Sequence, residues 1–105
     1  MVNNEKWFSL KEIDYSFQIW SGAVVRVYEG SEYEENYLDY IVSFIYDNID
    51  YLQLTCLSKG EEGNIVCVLK KVVGEHYVLG EELKKMMDYE NQVVLVNCHP
   101  DIQIN

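Results

Sequence analysis

The chain holds 105 residues, and its 18 Asp and Glu against 8 Lys and Arg leave a formal net charge of −10. That length fits a single domain over 1–105, and a field of that sign repels nucleic acid phosphates while attracting cationic partners. With 49% of its residues apolar the chain is no disordered polymer, yet no run nears the roughly 20 apolar residues of a membrane span.

Read in chain order, Met1 to Lys6 lacks the basic-then-apolar order of a secretory signal, so the chain is expected to stay where it is made. From Glu12 to Ile19 the residue types alternate, which predicts a half-buried strand. Ser9 and Glu12 also fit a capping box ahead of a helical stripe of Leu10, Ile13, Phe17 and Trp20, so a helix over 9–20 stays open. Ser21-Gly22 predicts a tight turn into a second strand, Ala23 to Tyr28.

A capping box at Ser31 and Glu34 then opens an expected amphipathic helix over about 32–49. Tyr33, Tyr37, Leu38, Ile41, Val42, Phe44, Ile45 and Ile49 fall on one half of its wheel. Leu38, Ile41 and Ile45 would pack it on the sheet. Tyr51 to Leu57 and Asn64 to Val73 predict a hairpin around the polar link 58–63. A short helix over about 81–88 carries Glu81 and Glu82 first and Lys84 and Lys85 later, as the helix dipole favours. Gln92 to Val96 predicts a last strand. The expected fold is therefore α+β, in the order ββαββαβ: a mainly antiparallel sheet of four to six strands with one long and one short helix.

No residue pattern points to catalysis. Cys56, Cys67 and Cys98 are an odd set without CxxC spacing and read as buried free thiols of a reducing, cytoplasmic compartment. His76 and His99 offer no metal-ligand spacing, so neither a metal nor a cofactor is expected. GxSxG, GxxxxGK and GxGxxG are all absent.

One constellation stands out. Between Val27 and Ser58 there is no Lys or Arg, but there are seven acids and six of the nine tyrosines. On the expected helix Glu32, Glu35, Asp39, Asp47 and Asp50 line the exposed face, with Tyr46 among them. Neighbouring like charges destabilise a helix, and a face kept acidic despite that suits a basic protein partner, with carboxylates steering encounter and tyrosine anchoring it.

Small size, acidity, cytoplasmic location and absent catalytic motifs resemble the immunity proteins that bacteria make against their own toxins, including those of contact-dependent growth inhibition. The resemblance is one of type across the chain, and it carries over no residue. It implies a non-enzymatic inhibitor that occludes the active site or nucleic-acid surface of a cognate toxin, a nuclease being favoured because such toxins are basic. Two alternatives stay open: an acidic nucleic-acid mimic directed at a defence protein, and a small-ligand or enzymatic domain whose pocket is lined by Tyr33, Tyr37 and Tyr40.

Overall fold

The computed structural model describes residues 6–28, 36–57, 63–87 and 89–98, apart from the side chains of Lys6 and Cys98. Its elements are β1 (Lys6–Ser9), β2 (Gln18–Trp20), β3 (Val24–Tyr28), β4 (Tyr37–Ile45), β5 (Asn48–Cys56), β6 (Ile65–Lys70), β7 (Tyr77–Leu79), α1 (Gly80–Met86) and β8 (Val94–Cys98). Six strands form one antiparallel sheet in the order β1-β8-β3-β4-β5-β6, and β2 pairs with β7 in a small second sheet.

The expected α+β fold with one long helix is overturned. Residues 37–45 are extended, residues 46–47 turn, and β5 begins at Asn48; residues 32–35 lie outside the described residues. The physical reason lies in composition. Tyr37 to Ile45 is dominated by aromatic and β-branched side chains, which lose rotamer freedom in a helix and pack well on a pleated surface. A stretch this apolar fills half of any wheel, so the wheel could not discriminate. Alternation could: Leu38, Tyr40, Val42 and Phe44 share one face of β4, and Asp39, Ile41, Ser43 and Ile45 share the other. Leu38 thus lies on the opposite side from Ile41 and Ile45.

Period two sorts the whole sheet. Val25, Val42, Leu52, Leu54, Leu69, Val94 and Val96 turn to the inner face and are buried to within 2% of completely. Leu10, Ile13, Ile19, Val78 and Leu83 cover them, so the core lies between the sheet and a layer made of the 10–17 turns, the β2–β7 pair and α1. Each such Leu, Ile or Val contributes about 1.5–3 kcal/mol when removed from water.

The strand or helix expected over 12–19 is mostly neither. Glu12 and Ile13 both donate backbone N–H to the Ser9 carbonyl, and only Gln18–Trp20 pairs as a strand. Hydrophobic Leu10 and Ile13 serve here as buried turn residues, which periodicity cannot distinguish from a regular element. The turn at Ser21-Gly22 is present, with Gly22 at φ 96°. The 51–73 hairpin and the short helix are present as well, as β5–β6 and α1.

Helix α1 starts where the backbone of the 14–17 turn meets it. The Gly80 N–H donates to the Phe17 carbonyl at 2.7 Å, and the Glu81 N–H donates to Tyr15 at 2.9 Å. A Cβ on Gly80 would stand 2.5 Å from the Asp14 carbonyl oxygen. Gly80→Ala is therefore expected to lower stability by about 1–3 kcal/mol, despite alanine's better helix propensity. Urea denaturation measures it, and an unchanged midpoint would refute this packing.

Candidate functional site

Among the residues singled out for binding, Glu32 and Glu35 lie outside the described residues. The other four do not share one surface. Asp39 sits on the outer face of β4, opposite Arg26 of β3. Its carboxylate accepts two bonds from that guanidinium, from Nε at 2.8 Å and from Nη2 at 2.9 Å. Arg26 Cζ lies 4.0 Å from the centroid of the Tyr37 ring and 4.7 Å from that of Trp7. The Asp39 hydrogen bond, working against burial, holds the guanidinium above its ordinary pKa. Asp39 is thus half-buried and committed to a partner, contrary to the exposure expected on a helix face. It tightens the sheet rather than steering a ligand.

Tyr37 and Tyr40 project from opposite faces of β4, and Tyr40 packs against the core. These two cannot line one pocket, and Tyr33 lies outside the described residues.

Tyr46, Asp47 and Asp50 are brought together, by a hairpin rather than a helix. Tyr46 and Asp47 form the two-residue turn between β4 and β5, with Asp47 at φ 71°, a left-handed conformation that Asp tolerates better than most residues. Phe44 pairs with Leu52 while the next residue, Ile45, pairs with Asn48. Ile49, Asp50 and Tyr51 therefore have no counterparts on β4, and β5 bulges. The Asn48 Oδ1 accepts the Asp50 N–H at 3.0 Å, and the Asp50 carbonyl accepts the Lys71 N–H at 3.1 Å. Bulges of this kind re-aim side chains. Here the result is a projecting apolar group: Tyr46 is 91% exposed, Ile49 83%, Phe44 57% and, on the adjoining 71–76 turn, Val73 86%. His76 meets Phe44 edge-on at 5.3 Å.

Local charge is mixed. Asp47, Asp50 and Glu75 are opposed by Lys70 and Lys71, and the Lys71 ammonium already donates to the Glu75 carbonyl at 2.6 Å. The sequence singles out Tyr46, Asp47 and Asp50, which the hairpin brings together, but not their exposed neighbours Phe44, Ile49 and Val73. The first two were assigned to the buried side of a helix. The readable signal was Tyr46-Asp47-Asn48, a run rich in turn formers between two β-rich segments.

Among the described residues no group of three His, Cys, Asp or Glu could hold a metal ion. Cys56 is buried and Cys67 half-buried, both as free thiols, and the side chain of Cys98 and all of His99 lie outside the described residues. Burial, and then the charge of Glu82, push the Cys67 thiol above its usual range. No described helix is long and apolar enough to cross a membrane. Comparison with protein-family models, curated proteins and solved structures finds no match for this chain.

Two outcomes follow. Arg26→Ala should lower stability by about 1–2 kcal/mol, because it removes two aromatic contacts together with a bidentate pair; Arg26→Lys should recover little of it, since an ammonium cannot make the fork. Alkylation of the native protein should label Cys67 faster than Cys56. The Cys67 rate should keep rising with pH beyond the point where a free cysteine levels off, because only the thiolate reacts. Equal rates at the two positions would contradict the burial difference.

Proposed function

We propose that this chain is a non-enzymatic binding protein that neutralises a basic partner, in the manner of an immunity protein occluding a cognate bacterial toxin. A nuclease remains the favoured target class. The observation that supports it is the β4–β5 tip. Tyr46 and Ile49 stand almost wholly in water beside Asp47 and Asp50, with Phe44 more than half exposed and Val73 on the adjoining turn, on a molecule of net charge −10.

Single exposed apolar residues are ordinary, whereas a contiguous group held out by a bulge marks an interaction surface. Tyr46 and Ile49 have the character of interface anchors, large and able to be fully desolvated. The tip is convex, so it is best buried by a concavity, and an enzyme's cleft is one. The two aspartates at the rim, within the wider negative field, would accelerate encounter with a basic surface and orient it. The long acidic helix has no part in this reading. The contact moves to the hairpin, and Asp39 drops out of it.

A phage-displayed library of bacterial toxin nuclease domains, selected on the full chain, tests the proposal. Enriched domains should be basic and should lose nuclease activity at equimolar chain. Tyr46→Ala together with Ile49→Ala should weaken binding by at least about 30-fold, the equivalent of ~2 kcal/mol for an anchor. Asp47→Lys with Asp50→Lys should chiefly slow association and flatten its salt dependence. Selected domains that bind a folded tip variant as well as wild type would exclude the tip as the contact.

A further inference from the structure

The six-stranded sheet has two edges, and they are finished differently. At β6 the edge is guarded. Leu54 pairs with Cys67 but Thr55 with Ile65, so Val66 forms a bulge, and the Lys70 N–H is taken by the Glu82 carboxylate at 3.0 Å. Bulges and covering side chains are what keep a strand edge from pairing with other chains. At β1 neither device is present among the described residues.

The hydrogen-bond phase of β1 shows which groups are left over. Leu10 N–H donates to the Val94 carbonyl at 2.8 Å, continuing the β1–β8 register. Bonded and non-bonded positions alternate along an antiparallel pair, so Phe8 also bonds to β8, while Trp7 and Ser9 turn their backbone groups away from it. The Ser9 carbonyl is occupied by Glu12 and Ile13 N–H at 3.0 and 3.1 Å. That leaves the Trp7 N–H, the Trp7 carbonyl and the Ser9 N–H on the outer edge, with no backbone partner among the described residues.

A groove of about 340 Å³ runs beside them, lined by Trp7, Phe8, Ser9, Glu12, Ile13, Asp14 and Phe17. Trp7 and Phe8 project from opposite faces of β1, so a groove that touches both follows the edge of the strand. Its floor is apolar: Ile13 is buried, and the Phe8 and Phe17 rings stand 5.4 Å apart. Two exposed carboxylates, Glu12 and Asp14, stand at its rim, while Lys11 lines a separate groove with Tyr89 and Glu90.

We propose that the β1 edge captures an extended segment of a partner protein bearing Lys or Arg at alternate positions. The free backbone groups would add the segment as a seventh strand, which is how extended peptides are held on sheet edges. Alternate side chains would lie across the paired Phe8 and Phe17 rings, their methylenes on the ring surface and their charges at Glu12 and Asp14. Charge selects this occupant. A second copy of this chain carries −10 and would meet the two rim carboxylates with repulsion.

The site is separate from the β4–β5 tip and is tested separately. The probe is an acetylated, amidated heptapeptide alternating Val and Lys, titrated into the isotope-labelled full chain and followed by NMR. Expected are amide shifts at Trp7, Phe8, Ser9, Glu12 and Asp14, slowed hydrogen exchange at Trp7 and Ser9, and no binding of the same peptide with Glu in place of Lys. Glu12→Lys with Asp14→Lys, both at exposed positions, should weaken binding by roughly tenfold or more at ~0.1 M salt with the fold intact. Methylating alternate peptide nitrogens should abolish binding, because the strand bonds are lost. Absence of shifts at about 1 mM peptide, a generous limit for a weak contact, would overturn the proposal. So would shifts confined to Tyr46 and Ile49, or undiminished binding of the methylated peptide.

Discussion

Everything displayed on this protein depends on the parity of β4. Val42 is fully buried, and it is tied twice to the turn that leads into β3: its N–H donates to the Ala23 carbonyl at 2.9 Å, and its carbonyl accepts the Gly22 N–H at 2.7 Å. With Val42 inward, Asp39 must point outward to meet Arg26, and Tyr37 must lie on the same side to stack over it. A slip of one residue would exchange the faces of the strand. Asp39 would then enter the core, where an unpaired carboxylate is prohibitively expensive. The Arg26–Asp39 pair is therefore a register lock as much as a source of stability: it rewards the one alignment that also buries Val42.

The same parity explains the tip. Phe44 shares the inner face with Val42 but lies one pleat beyond it, toward the end of the covering layer, where it meets His76 instead of the core. The chain then reverses in two residues and returns with three that match nothing on β4. A hairpin without that bulge would have aligned Ile49 with the strand pleat; the bulge turns it to solvent. Apolar exposure at the tip is thus the outcome of local backbone geometry, held by Asn48 and by the contact of Asp50 with Lys71.

Much of this was legible in the sequence, and the part that was not has a definite cause. Strand β3, the β5–β6 hairpin, α1 and the neighbourhood of β8 follow from alternation, turn residues and charge order. The long helix failed because an apolar run with scattered acids satisfies a period of 3.6 and a period of two at once. Tyr, Ile, Val and Phe content should have decided between them. The short β1 and β7 strands carry too few residues to show any period. They exist because β8 and β2 offer them partners, a tertiary fact that no window on the chain contains. For the candidate site, the chemistry of Tyr46, Asp47 and Asp50 is readable in the sequence but their hairpin geometry is not, and Asp39 pairs with Arg26 on a strand instead of lining a helix. The groove beside β1 had no sequence signature, since the residues between Ser9 and Phe17 were read as a regular element rather than as turns.

The two proposed contacts would differ in what they recognise, and their spacing bears on how a partner would use them. Phe8, Val96, Val25, Tyr40 and Cys56 stand in one row across the sheet. The tip begins at Phe44, four residues further along β4 or about 14 Å at the strand rise, and three strand spacings of roughly 4.8 Å separate β4 from β1. A separation near ~20 Å is within the width of one standard protein interface. A convex apolar tip would recognise shape, whereas the β1 edge would recognise backbone together with the charge of alternate side chains. Joined on one partner, the edge would supply affinity and the tip would supply identity. Because linked sites multiply in strength only when the geometry lets both engage, a partner with a cleft and a basic extended segment at that spacing would be held far more tightly than one offering either alone.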